Sequence, residues 1–262
     1  MRMVKVVVIL ITLGAISACA TSPTGRAQIL LYSDAQLAAM GKQAFTGMKS
    51  ELKVSNKRVE NTLVQCIAGH IAKQVPTSVF AGDWEVVVFD DPQVNAFALP
   101  GGKIGVYTGL LDVAQNQHQI AAVIGHEVAH VIARHGNSRM SQSTILNISQ
   151  QAALQALEAN QVAQTPSIMQ AFGLISNLGT LKYGRDDESE ADIIGLELMA
   201  KAGFQPNAAI ELWQNMAVLS QGQKPPEFLS THPSEETRIT ELQTNLARAE
   251  ALYQQSPQRP KC

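Results

Sequence analysis

The sequence has few charged and aromatic residues, 16% and 5% of its 262 positions, and only three cysteines. It also lacks a basic excess, because 20 lysines and arginines stand against 22 acidic residues, for a formal net charge of −2. Proteins that bind nucleic acid or an anionic membrane surface by charge need such an excess, so we predict no nucleic-acid partner. With 45% apolar residues, the chain is long enough to fill one principal core.

The sequence also lacks an apolar run long enough for a transmembrane helix. The uncharged run at residues 6–20 follows Arg2 and Lys5 and falls short of the roughly 20 residues that cross a bilayer. A basic start, an apolar stretch and small residues before Cys19 are typical of a secretory signal peptide. We therefore predict a cleaved signal peptide over residues 1–18.

The residues around this cleavage site indicate a lipid anchor. Ile16-Ser17-Ala18-Cys19 resembles the bacterial lipobox, in which the cysteine is diacylated and the new amino terminus is acylated after cleavage. Three acyl chains anchor a protein firmly, whereas one alone is marginal. Lipidation at Cys19 would place the chain on the periplasmic face of a bacterial membrane, and Ala20 favours the outer membrane by resemblance to known sorting rules. An ordinary cleaved signal with a chance cysteine is the alternative.

Hydrophobic periodicity predicts an α+β fold that is mostly helical with a small antiparallel sheet. Three short strands are expected at residues 84–89, 95–99 and 103–108. Helices are expected at residues 34–52, 56–75, 186–202, 206–219 and 233–251, and another helix begins near residue 119.

Two histidines on the helix that begins near residue 119 carry the strongest chemical signal. His126 and His130 are four residues apart, so they project from one helical face, as two ligands of a tetrahedral metal must. Glu127 can hold the attacking water without binding the metal, which is the role of the general base in HExxH peptidases. The pattern predicts one Zn²⁺ per chain, with His126 and His130 as ligands and Glu127 as a catalytic residue.

The third ligand must come from elsewhere in the chain. Where the metzincin pattern needs a glycine and a third histidine, the sequence has Ala133 and Gly136, which excludes that class. The string ESEAD offers acids at i and i+4 on a second helix, so one can bind the metal while the other orients a ligating histidine. We assign Glu188 to the metal and Asp192 to the orienting role. Glu190 points to another face and is expected to be a solvated acid.

Four strings resemble those of a known peptidase family: NAFALPGG at 95–102, GHEVAH at 125–130, ESEAD at 188–192 and STHPS at 230–234. Their order and spacing are similar to the gluzincin peptidases of the HtpX, BepA, LoiP and mitochondrial Oma type, over about residues 60–245. The resemblance implies that Glu188 is the third zinc ligand and that Asp192 stands behind a histidine. The small size, single HExxH domain and lipobox look most like the LoiP-type outer-membrane lipoprotein proteases.

A substrate-binding strand is also implied by this resemblance. It comprises Asn95, Ala96, Phe97 and Ala98, which resemble the gluzincin edge strand that aligns the substrate backbone as an added antiparallel strand. Such binding reads little of the substrate's sequence. A core position for Phe97 is compatible with this role, because alternate residues of a strand face opposite sides.

The task of His232 stays open between three interpretations. It precedes Pro233 and two glutamates that suit the first turn of a helix, so it can be a helix-boundary residue. Its match to the family's HP motif instead suggests a catalytic role near the metal or the oxyanion. We also weigh a latch, in which a neutral imidazole fills the fourth position of the metal until a client engages the edge strand.

The predicted organisation is a signal peptide (1–18), a lipidated tether (19–32), a metallopeptidase domain (33–252) and a C-terminal tail (253–262). Cys66 and Cys262 can form a disulfide in an oxidising compartment, but the sequence leaves this pairing open. By resemblance, the substrates are misfolded or misassembled envelope proteins, and the function is zinc-dependent endopeptidase in quality control. Two alternatives are a lipoprotein chaperone or escort with a latched site, and a structural zinc protein, in which Glu127 would have no task.

Overall fold

The computed structural model describes residues 19–159, 183–219, 228, 232 and 236–262. These residues form two units, a larger one within residues 34–133 and 183–262 and a smaller one within residues 19–33 and 134–159. The predicted signal peptide lies outside the described residues. The predicted class, a mostly helical α+β domain, is confirmed.

Helices make up most of the described chain. They are α1 (Asp34–Glu51), α2 (Arg58–Ala72), α3 (Thr108–Val113), α4 (Gln117–Ile132), α5 (His135–Ala159), α6 (Arg185–Lys201), α7 (Asn207–Leu219) and α8 (Glu236–Gln255). Helix α5 belongs to the smaller unit, and the others belong to the larger one. The sequence missed α3, because Thr108 was expected to end a strand and instead begins this helix.

Helix α4, which carries the HExxH string, lies in the centre of the larger unit. Its first turn is capped by Asn116, whose Oδ1 accepts hydrogen bonds from the backbone N–H groups of His118 and Gln119. The side chains from residue 119 to residue 130 are all buried. The helix packs against α2, α6, α7 and the sheet, so its histidines cannot be surface residues.

Two glycines let α4 and α6 approach closely. A Cβ added at Gly195 of α6 would lie 2.8 Å from the Cα of His126, and one added at Gly125 would lie 2.8 Å from the carbonyl oxygen of Gly195. Any side chain at either position would push the helices apart. This close crossing brings the acids of α6 within reach of the histidines of α4.

The sheet of the larger unit contains β3 (Glu85–Phe89), β4 (Ala96–Leu99) and β5 (Lys103–Tyr107), in the order β3-β5-β4. Strands β4 and β5 form the expected antiparallel hairpin, whose turn uses Gly101 and Gly102 at φ 83° and 69°. Strand β3 pairs with β5 in parallel, unlike the antiparallel sheet expected, because the chain crosses past β5 before forming β4. This order leaves β4 at an edge of the sheet.

The smaller unit begins with a two-stranded antiparallel hairpin of β1 (Cys19–Thr21) and β2 (Ala27–Ile29). The residues after it contact α5: the backbone N–H of Leu31 donates to Ser141 Oγ at 2.8 Å, and the hydroxyls of Tyr32 and Thr144 are 2.7 Å apart. The residues predicted as a tether therefore include ordered structure, and lipidation of Cys19 stays a prediction. Across the described ranges, no helix has both the length and the apolar character needed to span a bilayer.

The C-terminal tail is tied to the larger unit by a disulfide and by hydrogen bonds. Cys66 of α2 is bonded to Cys262, with their Cα atoms 5.7 Å apart. Gln117, at the start of α4, donates to the carbonyl of Pro260 and accepts from the backbone N–H of Cys262. Ser256 donates to the carbonyl of Lys201, the last residue of α6. The tail thus connects three helices of the larger unit.

Candidate metal centre

The three predicted metal ligands converge on one point. The Nε2 atoms of His126 and His130 lie 3.1 Å apart, and the carboxylate oxygens of Glu188 lie 3.5 Å and 3.6 Å from them. A tetrahedral metal ion with bonds of about 2.0–2.1 Å separates its ligand atoms by about 3.3 Å. The observed separations are therefore those of three corners of a metal-binding tetrahedron.

His232 occupies the fourth corner. Its Nδ1 lies 3.3 Å from His126 Nε2 and 2.9 Å from Glu188 Oε1. One donor atom from each of these four buried residues lies within 4.8 Å of all the others. The structure thus brings His232 to the metal site, which the helix-boundary interpretation does not require.

The electrostatics of the cluster favour a positive charge at its centre. Asp192 Oδ1 lies 3.0 Å from His126 Nδ1, so a proton on Nδ1 is held there and the Nε2 lone pair faces the other ligands. Burial opposes protonation of this ring, yet the carboxylates of Asp192 and Glu188 raise the pKa of His126 to about 9. A site that attracts a proton this strongly, lined by three imidazoles and a carboxylate, fits a divalent metal ion.

Arg238 of α8 fixes both acids of the site, a task that the sequence did not assign. Its Nε and Nη2 donate to the two oxygens of Asp192 at 2.7 Å each, and its Nη1 lies 2.8 Å from Glu188 Oε2. The guanidinium also lies 3.9 Å over the ring of Trp213. Burial alone would raise the pKa of Asp192, but the charge of Arg238 holds it below its usual value. Asp192 therefore stays ionised behind His126.

Glu127 lies beside the tetrahedron without being one of its corners. Its carboxylate accepts a hydrogen bond from the backbone of Ala98, and Oε1 lies 3.3 Å from Nε2 of His232. Burial raises the pKa of Glu127 above its ordinary value, partly offset by the nearby histidines. A carboxylate that is more basic than usual is suited to proton transfer.

The predicted substrate strand lies in and just before the edge strand β4. Its alternation follows the expectation for Phe97, whose ring packs with Phe45, Phe89 and Tyr107 at centroid distances of 6.1–6.3 Å. The opposite side of the strand meets the site through Ala98. Asn95 begins the strand, and its side-chain oxygen accepts from the N–H of Ala96.

Two aromatic rings at the site were missed by sequence reasoning. Tyr183 stacks on His130 at 3.9 Å with an interplanar angle of 23°, and Phe228 stacks on His232 at 4.6 Å with an angle of 27°. Each lies four or five residues before a ligand in the sequence, which was the available signal: Tyr183 before Glu188 and Phe228 before His232.

The expectation for Glu190 was wrong, because this acid is buried with 2% of its surface exposed, as is Glu188. Helix α6 packs against both α4 and α8. A helix covered on more than one side has little surface left for solvent, so a face turned away from Asp192 need not be exposed.

A sequence model described as Peptidase family M48 matches residues 55–246. The chain belongs to this family. Two similar relatives are named mitochondrial metalloendopeptidase OMA1. The one from Schizosaccharomyces pombe is 38% identical over 174 residues, which are 66% of this chain and 50% of that protein. The one from Saccharomyces cerevisiae is 34% identical over 210 residues, which are 76% of this chain and 58% of that protein.

Bacterial relatives of the M48 chain are also found. The beta-barrel assembly-enhancing protease of Yersinia pestis is 28% identical over 156 residues, 58% of this chain and 32% of that protein. The chain spans about half the length of the OMA1 relatives described above. The M48 match confirms the predicted gluzincin peptidase family and agrees with the predicted metalloendopeptidase class. The closer likeness to LoiP-type proteases stays a prediction.

Proposed function

We propose that this M48 chain is a zinc-dependent endopeptidase that hydrolyses unfolded or misassembled proteins of the bacterial cell envelope. The observation that carries the proposal is the buried tetrahedron of donor atoms with Glu127 beside it. A structural metal site needs no such neighbouring carboxylate. The relatives named metalloendopeptidase support the reaction class.

The catalytic tasks divide among residues of α4, α6 and α8. When bound, zinc supplies Lewis-acid chemistry, polarising the scissile carbonyl and making a water acidic enough to attack near neutral pH. Glu127 takes a proton from this water and delivers it to the leaving amine, two steps that its raised pKa suits. Asp192 keeps the His126 Nε2 lone pair directed at the centre, and Arg238 keeps Asp192 charged.

The substrate class follows from the edge strand. A peptide added antiparallel to β4 is held by backbone hydrogen bonds, which any extended segment can make. Folded proteins rarely offer a free extended segment, so this mode favours unfolded clients. The assignment to envelope proteins rests on the predicted signal peptide, and it is supported by the bacterial relative named as a beta-barrel assembly-enhancing protease. We propose anchoring through Cys19 in the outer membrane, on the periplasmic face, as in LoiP-type proteins.

A second candidate, an escort protein with a latched protease site, is favoured by the position of His232. This residue provides a fourth donor and also lies 3.3 Å from Glu127 Oε1. In this arrangement the nucleophile's place is filled and the base is engaged. We propose that His232 is a latch, and its rival role is stabilisation of the oxyanion.

The proposed function is tested by cleavage of casein with and without a chelator, together with metal analysis. Glu127→Gln should abolish cleavage yet retain one zinc per chain, because Glu127 moves protons and does not bind the metal. Glu188→Gln should lose the metal, and Glu190→Gln, at an equally buried position of the same helix, should keep it. Proteins trapped on Glu127→Gln, identified by mass spectrometry, should be unfolded envelope proteins. Loss of zinc from Glu127→Gln would contradict its assigned role.

A further inference from the structure

An apolar cavity lies beside the metal centre. Its volume is about 20 Å³, which is room for about one water molecule. His126 and Asp192 form a polar edge of this cavity. The rest of its wall is mainly apolar and comes from α4, α6, α7, α8 and one further ring: Val123, Leu196, Leu212, Trp213, Leu242 and Phe228.

Phe228 fills the space between this cavity and the metal centre. It is 1% exposed, and its ring lies 5.9 Å from Trp213 and 6.2 Å from His126 by centroid distance. It also stacks on His232, whose backbone N–H donates to its carbonyl at 2.8 Å. The two residues are therefore hydrogen-bonded one helical turn apart, and movement of His232 away from the metal would carry Phe228 with it.

The position of Phe228 along β4 identifies which part of a substrate would meet this cavity. Glu127 contacts the backbone of Ala98, so the scissile bond must lie near that end of the strand. Phe228 is hydrogen-bonded at the other end, where its backbone N–H donates to the carbonyl of Val94 at 3.1 Å. In an antiparallel substrate, the residues after the scissile bond run from Ala98 back towards Val94. Phe228 lies on that side.

We propose that the space taken by the Phe228 ring, together with the cavity behind it, is the pocket for the first substrate residue after the scissile bond. The pocket takes a large apolar side chain, such as phenylalanine or leucine, and Phe228 is its built-in occupant while His232 is at the metal. This inference rests on the proposed endopeptidase function. It adds a side-chain preference to a strand-binding mode that is otherwise indifferent to sequence.

Such a pocket would help to select unfolded clients. Large apolar side chains are mostly buried in folded proteins and become accessible on unfolding. Burial of a phenylalanine or leucine side chain corresponds to a preference of about 10- to 100-fold over a small polar residue. The preference should depend on the pocket and not on the metal, because the wall is built from helices α4, α6, α7 and α8.

The first test measures kcat/KM on peptides that differ only at the residue after the scissile bond, which is phenylalanine, leucine, alanine or serine. The full-length protein should prefer phenylalanine and leucine over serine by at least about tenfold. Ala209→Leu adds bulk to the cavity wall and should lower that ratio towards one while alanine peptides are still cleaved. Ala208→Leu is the matched control, since Ala208 is equally buried but does not line the cavity.

The outcomes separate this inference from the proposed function. Equal rates on all four peptides would overturn the pocket while leaving the endopeptidase intact. Absence of cleavage of both peptides and casein would instead overturn the proposed function. The pocket is then decided by binding alone.

The second test uses Trp213 as a reporter of the pocket. Trp84→Phe leaves Trp213 as the single tryptophan of the chain, since there are two. In this background, Phe228→Ala should bind N-acetyl-phenylalanine amide with a saturable change in Trp213 emission, whereas N-acetyl-serine amide should give none. The protein that retains Phe228 should respond at least about tenfold more weakly, because its pocket is filled. Lack of any response in a folded Phe228→Ala protein would overturn the proposal.

Discussion

Nε2 of His232 lies 3.3 Å from Oε1 of Glu127, so one imidazole contacts the proposed general base while its other nitrogen faces the metal ligands. A histidine that stabilised the oxyanion would point a donor at the substrate carbonyl and leave the base accessible to water. The observed arrangement instead engages both the fourth corner and the base. It represents the closed state of a site that must open before catalysis.

The first prediction is that His232→Ala raises basal cleavage of an unstructured substrate. Removing the imidazole makes the fourth corner and Glu127 accessible, and we expect an increase of at least about tenfold, since even a modestly favoured closed state suppresses most activity. Zinc content should stay at one per chain, because three ligands remain. His118→Ala, a change at a partly exposed histidine of the same helix, is the control. A fall in kcat with zinc retained would favour the oxyanion role, and an unchanged rate would contradict both.

The second prediction concerns the arginine behind the site. Arg238→Gln leaves Asp192 and Glu188 as buried carboxylates without their cation, which should cost about 3–5 kcal/mol in the free energy of unfolding. Metal affinity should fall by about 10- to 100-fold, because Asp192 no longer holds His126 firmly. Urea unfolding and a competitive zinc titration measure the two effects.

Arg248→Gln is the matched control for this prediction. Arg248 lies on the same helix and also pairs with an acid of α6, Glu197, but 69% of its side chain is exposed. Its replacement should cost less than about 1 kcal/mol and leave zinc affinity unchanged. Equal effects of the two variants would contradict the special place of Arg238.

Local geometry explains which parts of the site could be predicted from sequence. Residues four apart on a helix share a face whatever the fold, so His126 and His130 could be paired, and Glu188 with Asp192 likewise. Arg238 could not be assigned, because it meets Asp192 only after a separation of 46 residues is closed by the packing of α8 on α6. The burial of Glu190 was missed for a related reason: residue spacing does not tell how many sides of a helix are covered.

The fold shows the same division between local and distant information. Most helix boundaries were predicted to within a few residues, because capping residues and Gly203, with φ 88°, mark them in the sequence. The turn at Gly101 and Gly102 gave the antiparallel hairpin. The parallel pairing of β3 with β5 depends on a crossover that no turn residue specifies.

The third prediction is that Cys19→Ser releases the protein from membranes. Acylation is the strong anchor that we propose for this chain, and serine cannot carry it or direct the lipoprotein cleavage. Fractionation should find the variant outside the membrane pellet. N-terminal sequencing is needed as a control, since an uncleaved signal could retain the variant. A cleaved variant that stays in the membrane fraction would leave the lipid anchor without support.

The last prediction is that the bond between Cys66 and Cys262 stabilises the larger unit without contributing to the metal centre. The two residues are separated by 196 positions, and closing so long a loop in the unfolded chain should stabilise the native state by about 2–5 kcal/mol. Cys262→Ser keeps the backbone N–H that donates to Gln117, so it removes the covalent link alone.

Urea unfolding with and without a phosphine reductant decides this prediction. Reduction should lower the unfolding midpoint of the unmodified protein to that of Cys262→Ser, and it should leave the variant unchanged. Zinc content should stay at one per chain in native conditions, because His126 lies more than two helical turns beyond Gln117. A reductant that shifts both proteins equally would show that it acts elsewhere, and a midpoint that moves in neither would remove the disulfide from the account of stability.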